Sequence, residues 1–268
     1  DESCPMEELF IPYTTTYSLY SKIRGELTYY YELSYGEGVA ADIIVWLHGS
    51  GPRPLDQLNL AGRAYLRAAI KNSHYNRNLR LIMPLCPPDL FWLNGGHGKF
   101  RIEDFLIDEL IPECINRIGV NLYHNLQVHG YSMGAYGALR LGLKYSRIFR
   151  RILSIAAGPL SDTFLDLQKA DDGIKERIYR TVFHGSNEVY RRLSPFSIAS
   201  NKLNVIVGHS LMIELVAGMR DPCFVDNERF ANQLKTLGID ITFNPILDVG
   251  HRLDLYLQKL DDSLLLVA

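Results

Sequence analysis

Short apolar runs alternate along this chain with longer stretches whose apolar residues recur at helical spacing. Residues 42–47 (Asp-Ile-Ile-Val-Trp-Leu) are almost continuously apolar, the pattern of a strand buried on both faces. Runs of the same kind predict strands at 79–83, 126–128 and 151–156. Residues 26–33, rich in tyrosine and leucine, read as an earlier strand, and 240–246 as a later one. Of two apolar runs at 205–207 and 211–217, the second is the better strand. Helical spacing predicts helices over 57–71, 102–118, 134–145, 227–237 and 253–260, with a further helix around 173–183. Pro112 is positioned to kink the second of these. Residues 1–16, with Pro5, Pro12 and three threonines, read as irregular.

Strands that alternate with helices predict an α/β fold, with a mainly parallel sheet covered on both faces. In such sheets ligands bind beyond the carboxyl ends of the strands, so the residues just after each strand are where chemistry is expected. The chain has 268 residues and is 47% hydrophobic, which fits one α/β domain over 1–268 with a sizeable core. Residues 160–203 are mixed and charged, too few for a core of their own, and read as an insertion near the site.

Charge and cysteine content exclude several classes. A net charge of −2 gives no footprint for nucleic acid. No apolar run approaches the ~20 residues of a membrane span. Cys4, Cys86, Cys114 and Cys223 are scattered without a C-x-x-C pair, so they read as thiols rather than a zinc site or a disulfide framework. That usage favours a reducing cytoplasm. The chain begins at Asp1 without a Met, which reads as a trimmed or processed start.

The strand at 126–128 runs into Gly130-Tyr131-Ser132-Met133-Gly134 and then a helix. This is the strand–turn–helix setting of a G-x-S-x-G nucleophile elbow, in which a serine sits exposed on a sharp turn and flanking glycines let strand and helix approach. A serine hydroxyl needs an adjacent base. Among eight histidines, His251 follows the last strand and precedes the last helix, downstream of a candidate acid. His48 and His129 flank the glycine turns and read as structural. Asp221, just after the strand at 211–217, is placed to hold the imidazole; Asp226 is the rival, and also a candidate N-cap for the helix at 227–237. The order Ser132, Asp221, His251 is that of an α/β hydrolase. His48-Gly49-Ser50-Gly51 follows the strand at 42–47. The N–H of Ser50, or of Gly51, paired with that of Met133, forms a candidate oxyanion hole. Gly51, Trp92 and Tyr131 are candidate substrate contacts, with Trp92 in a glycine-rich loop at 91–98.

The blocks His48-Gly49, 105–112, 130–139, Ser194-Pro195-Phe196, 218–221 and Gly250-His251 together resemble the esterase family of α/β hydrolases, the group of esterase D-like, feruloyl-esterase-like and mycolyltransferase-like enzymes. The resemblance spans most of 42–260. It implies Ser132, Asp221 and His251 as the triad, Ser50 and Met133 as the oxyanion hole, and neither metal nor organic cofactor. The region 160–203 matches poorly outside Ser194-Pro195-Phe196, so substrate preference does not carry over. The expected activity is hydrolysis of a small carboxylic ester or thioester through an acyl-enzyme. The alternatives are an acyltransferase with an alcohol or amine acceptor, and a ligand-binding protein on a hydrolase fold.

Overall fold

Among the described residues, eight strands form one sheet in the order β1-β2-β4-β3-β5-β6-β7-β8. They are β1 (Thr14–Ser21), β2 (Glu26–Tyr35), β3 (Ala41–Leu47), β4 (Asn78–Pro84), β5 (Leu126–Tyr131), β6 (Arg151–Ile155), β7 (Met212–Gly218) and β8 (Thr242–Ile246). Every pairing from β4 through β8 is parallel, and only β1–β2 and β2–β4 are antiparallel. The computed structural model describes residues 11–37, 41–71, 78–94, 100–119, 125–160 and 173–266.

The apolar run of β3 is divided between two faces. Ile43, Val45 and Leu47 join one buried cluster, while Ile44 and Trp46 join the other. The second cluster is closed by α1 (Pro54–Lys71), α10 (Leu253–Lys259) and α11 (Asp262–Leu265). The first is closed by α3 (Ile111–Ile118), α4 (Met133–Lys144) and α9 (Phe224–Thr236). A central strand with both faces covered has little room for polar side chains, which is why the run is nearly unbroken.

The expected strands and long helices all appear, with boundary shifts of a few residues. The helix expected over 102–118 is continuous but not uniform. It passes from α2 (Ile102–Asp104) through a π-helical segment (Phe105–Leu110) into α3. Pro112 lies in the first turn of α3, so the wider π turn directly precedes the residue that lacks an N–H.

One stretch corrects the sequence reading. Thr14, Thr15 and Thr16 are not irregular; they open β1, pairing with Leu33, Glu32 and Tyr31. Threonine suits a pleated edge as well as valine does, and its polarity on a half-exposed edge strand hid the element. Residues 205–207 lie in a helix, α8 (Leu203–Gly208), while the better strand became β7. A short apolar run cannot separate strand from helix without its partners.

Within 160–203, α5 (Gly173–Phe183) appears where a helix was expected, followed by α6 (Asn187–Leu193), α7 (Pro195–Asn201) and α8. Residues 161–172 lie outside the described set. Ser194 caps α7 by accepting the Ser197 N–H at 3.1 Å, with Pro195 at the first helical position. The buried Arg140 of α4 fastens this segment to the body, donating to the Leu193 carbonyl at 2.6 Å and to Glu103 at 2.9 Å. Burial raises the Glu103 carboxyl, but Arg140 and Lys144 outweigh it and hold its pKa below the ordinary range.

Candidate active site

The four strand ends singled out in the sequence do meet. Ser132 lies at the turn from β5 into α4 with φ 54° and ψ −116°, a strained conformation for a residue with a side chain. Its N–H donates to the Ile155 carbonyl at 2.9 Å, and its carbonyl accepts the first helical bond from Tyr136 at 3.0 Å. The glycines have the reason expected of them. A Cβ at Gly130 would lie 2.3 Å from the Gly134 oxygen, and one at Gly134 would lie 1.9 Å from the Leu47 oxygen. Only bare backbone lets α4 start this close to β3 and β5.

His251 Nε2 is 2.8 Å from Ser132 Oγ, and His251 Nδ1 is 2.8 Å from Asp221 Oδ2. An ionised carboxylate only accepts, so Nδ1 carries the proton and Nε2 accepts the Ser132 O–H. The loops that carry the two residues are tied together by backbone. Met219 N–H donates to the Ile246 carbonyl at 2.9 Å, and Arg220 N–H to the Val249 carbonyl at 3.0 Å. Gly218 permits this, since a Cβ there would lie 2.2 Å from the Val249 oxygen.

Asp221 accepts two further hydrogen bonds, from the Cys223 N–H at 2.8 Å and the Tyr256 O–H at 2.7 Å. Its side chain has no exposure, while that of His251 is 36% exposed. Burial raises the Asp221 carboxyl, but the bonds from His251, the Cys223 N–H and Tyr256 outweigh burial and leave its pKa below the ordinary value. Asp226, the rival acid, sits in the first turn of α9 and pairs at 3.7 Å with Arg229. It is not the N-cap either, because α9 begins at Phe224, capped by Cys223.

Tyr256 was missed in the sequence. Besides donating to Asp221, it accepts the Gly218 N–H at 2.6 Å, so one hydroxyl spans the acid loop. Tyr256→Phe should leave that N–H unpaired at a cost of about 1–3 kcal/mol. We expect a lower melting temperature and a reduced kcat with little change in KM, measured by thermal melts and steady-state kinetics.

The His48-Gly49-Ser50-Gly51 turn abuts the elbow: a Cβ at Gly49 would lie 3.2 Å from Ser132 Cβ. Hydrogen bonds on both sides fix the turn. Gly49 N–H donates to Gln57 Oε1 at 2.7 Å, and Gln57 Nε2 donates to the Ser50 carbonyl at 3.3 Å. His48 Nε2 accepts the Cys86 N–H at 3.0 Å, so its Nδ1–H donates to the Gly49 carbonyl at 2.8 Å. Burial pushes the His48 pKa down to about 4, keeping this ring neutral, in line with its structural reading. His129 is likewise buried, paired with Tyr65 and Gln127. Gly51 adopts φ 142°, a conformation suited to glycine. Met133 opens α4, where its N–H has no carbonyl within the helix to bond.

Trp92 departs from expectation. It is fully buried and donates from Nε1 to the His48 carbonyl at 3.0 Å, so it braces the turn from behind and presents no surface to a substrate. Residues 95–99 of its loop lie outside the described set. Tyr131 is also buried, with its ring centroid 5.2 Å from that of His251, and backs the imidazole. Ser50 Oγ donates to Asp89, whose other oxygen pairs with Arg177 of α5. No local pattern flags this relay. The one sequence cue is that Asp89 follows the end of β4.

No protein-family model matches the chain. An acetyl esterase from Caldicellulosiruptor saccharolyticus is 28% identical over 164 residues, covering 57% of this chain and 62% of that enzyme, so the chain spans less than two thirds of its relative. Among solved structures, the fluorophosphonate-binding serine hydrolase FphF of Staphylococcus aureus matches with a TM-score of 0.74 at 15% identity, over 94% of this chain and 96% of that one. The S-formylglutathione hydrolase FrmB of Staphylococcus aureus matches at 0.71 and 16% identity, over 94% and 97%. The chain has the α/β-hydrolase fold. Its resemblance to the esterases of that fold, first carried by the motif blocks, is borne out by these relatives. No helix among the described residues is long and apolar enough to cross a membrane.

Proposed function

We propose that this chain is a serine hydrolase that cleaves small carboxylic esters or thioesters through an acyl-enzyme, with Ser132, His251 and Asp221 as its triad. One observation carries the reading: an unbroken relay from the Ser132 hydroxyl to His251 Nε2 at 2.8 Å and from His251 Nδ1 to Asp221 at 2.8 Å. Ser132 Oγ attacks the carbonyl carbon while its proton passes to Nε2. The N–H groups of Ser50 and Met133 stabilise the oxyanion, each worth about 3 kcal/mol in the barrier. The imidazolium, held by the ionised Asp221, then protonates the leaving group. Water attacks the acyl-enzyme with His251 again as base.

The exposure of His251 favours water over an alcohol or amine as the acceptor, because solvent reaches the imidazole at the rim. The acetyl esterase relative supports a short acyl group, and the S-formylglutathione hydrolase likeness supports thioesters as well as oxygen esters. Incubation with a fluorophosphonate should place one covalent adduct on Ser132, located by peptide mass spectrometry, with parallel loss of p-nitrophenyl acetate hydrolysis. An adduct elsewhere, or none, would overturn the reading in favour of a binding protein on this fold.

A further inference from the structure

The sequence showed no metal signature, yet the fold brings a mixed donor set to one point. One carboxylate oxygen of Asp221, Sγ of Cys223 and one imidazole nitrogen of His251 all lie within 4.8 Å of one another. Carboxylate, thiolate and imidazole suit a borderline-soft divalent ion such as Zn2+ and do not suit Mg2+ or Ca2+. Tetrahedral zinc, with bonds of about 2.0–2.3 Å, spaces its donors roughly 3.3–3.8 Å apart. Small side-chain adjustments therefore close the set.

We propose that Asp221, Cys223 and His251 form a zinc-binding site whose occupation switches off the triad. The site rests only on the three side chains; its inhibitory consequence rests on the hydrolase reading. Ligation through Nδ1 would replace the hydrogen bond to Asp221, and ligation through Nε2 would remove the acceptor for the Ser132 hydroxyl. The base is lost either way. On binding, the Cys223 thiol releases its proton to solvent, and the imidazole stays neutral with its single proton on the unligated nitrogen. The carboxylate is already ionised, nothing is oxidised, and water completes the coordination. The partial exposure of His251 and Cys223 provides access. Cys86 and Cys114 do not compete, since both are buried and burial pushes their thiols up to about 12 and about 11.

The test uses the full chain and zinc chloride, and follows Cys223 alkylation by iodoacetamide in the peptide that contains it. Zinc should slow that alkylation by about 10-fold or more, reversibly with EDTA, while Mg2+ leaves it unchanged. Hydrolysis of p-nitrophenyl acetate should fall in parallel. Cys223→Ser, normalised to its own metal-free rate, should need about 10-fold more zinc for the same loss. The alkylation arm needs no variant and no turnover, so it judges the site even if the chain hydrolyses no ester. Alkylation at the same rate with and without zinc, or equal inhibition of Cys223→Ser and the unaltered chain, overturns the proposal.

Discussion

Ser132→Ala should lower kcat for p-nitrophenyl acetate by roughly 10⁴ to 10⁶-fold and abolish fluorophosphonate labelling, with the fold intact. The substitution isolates chemistry from structure. Alanine keeps the Cβ, so the backbone at φ 54° stays as strained as before and the elbow keeps its shape. Only the hydroxyl is gone, and with it the proposed nucleophile. Ser132→Gly should be equally inactive yet more stable by about 1 kcal/mol, because glycine adopts this conformation without the penalty. Paired thermal melts and kinetics on the two variants read both effects. Turnover by Ser132→Ala within tenfold of the unaltered chain would remove Ser132 as the nucleophile.

Asp221→Asn is expected to cost about 10² to 10⁴-fold in kcat, for a reason visible in the hydrogen bonds. The carboxylate accepts from three donors: the Cys223 N–H, the Tyr256 O–H and the His251 Nδ1–H. An amide offers one oxygen and one donating nitrogen. If the nitrogen faces Cys223, two N–H groups collide. If it faces His251, the ring must accept there, and its proton moves to Nε2, pointing at the hydroxyl it should receive from. Stability should fall too, by about 1–3 kcal/mol at neutral pH, since a buried donor is left without an acceptor. In the unaltered chain the depressed Asp221 pKa stabilises the fold above the ordinary carboxylate value. That contribution drains away as pH falls through the folded pKa. Asp221→Asn should therefore show a smaller decline in melting temperature between neutral and strongly acidic pH.

The sequence made the proposed triad legible because its constraints are local. Gly130 and Gly134 bracket Ser132 at a fixed spacing, and a strand must lead in and a helix out. Asp221 and His251 each follow a strand, and the topology of a parallel sheet brings strand ends to one rim. Tyr256 escaped because it reads as core: it lies between Leu253 and Leu257 on an apolar helix face, and only the fold turns its hydroxyl toward Asp221. Trp92 misled for the converse reason. A tryptophan in a glycine-rich loop beside a site looks like a substrate contact, and only packing shows it sealed behind His48. The contact between Asp89 and Arg177 joins residues 88 positions apart, beyond the reach of any periodicity.

That last pair has a consequence for anyone recombining homologous chains. Asp89 follows the end of β4, but its cation arrives on α5, in the stretch that the sequence reads as an insertion. A chimera that exchanged 160–203 wholesale would strand the buried Asp89 carboxyl beside the turn proposed as part of the oxyanion hole. Transplanting this segment onto the body therefore means moving position 89 along with it, or choosing donors that already supply an arginine at the matching place.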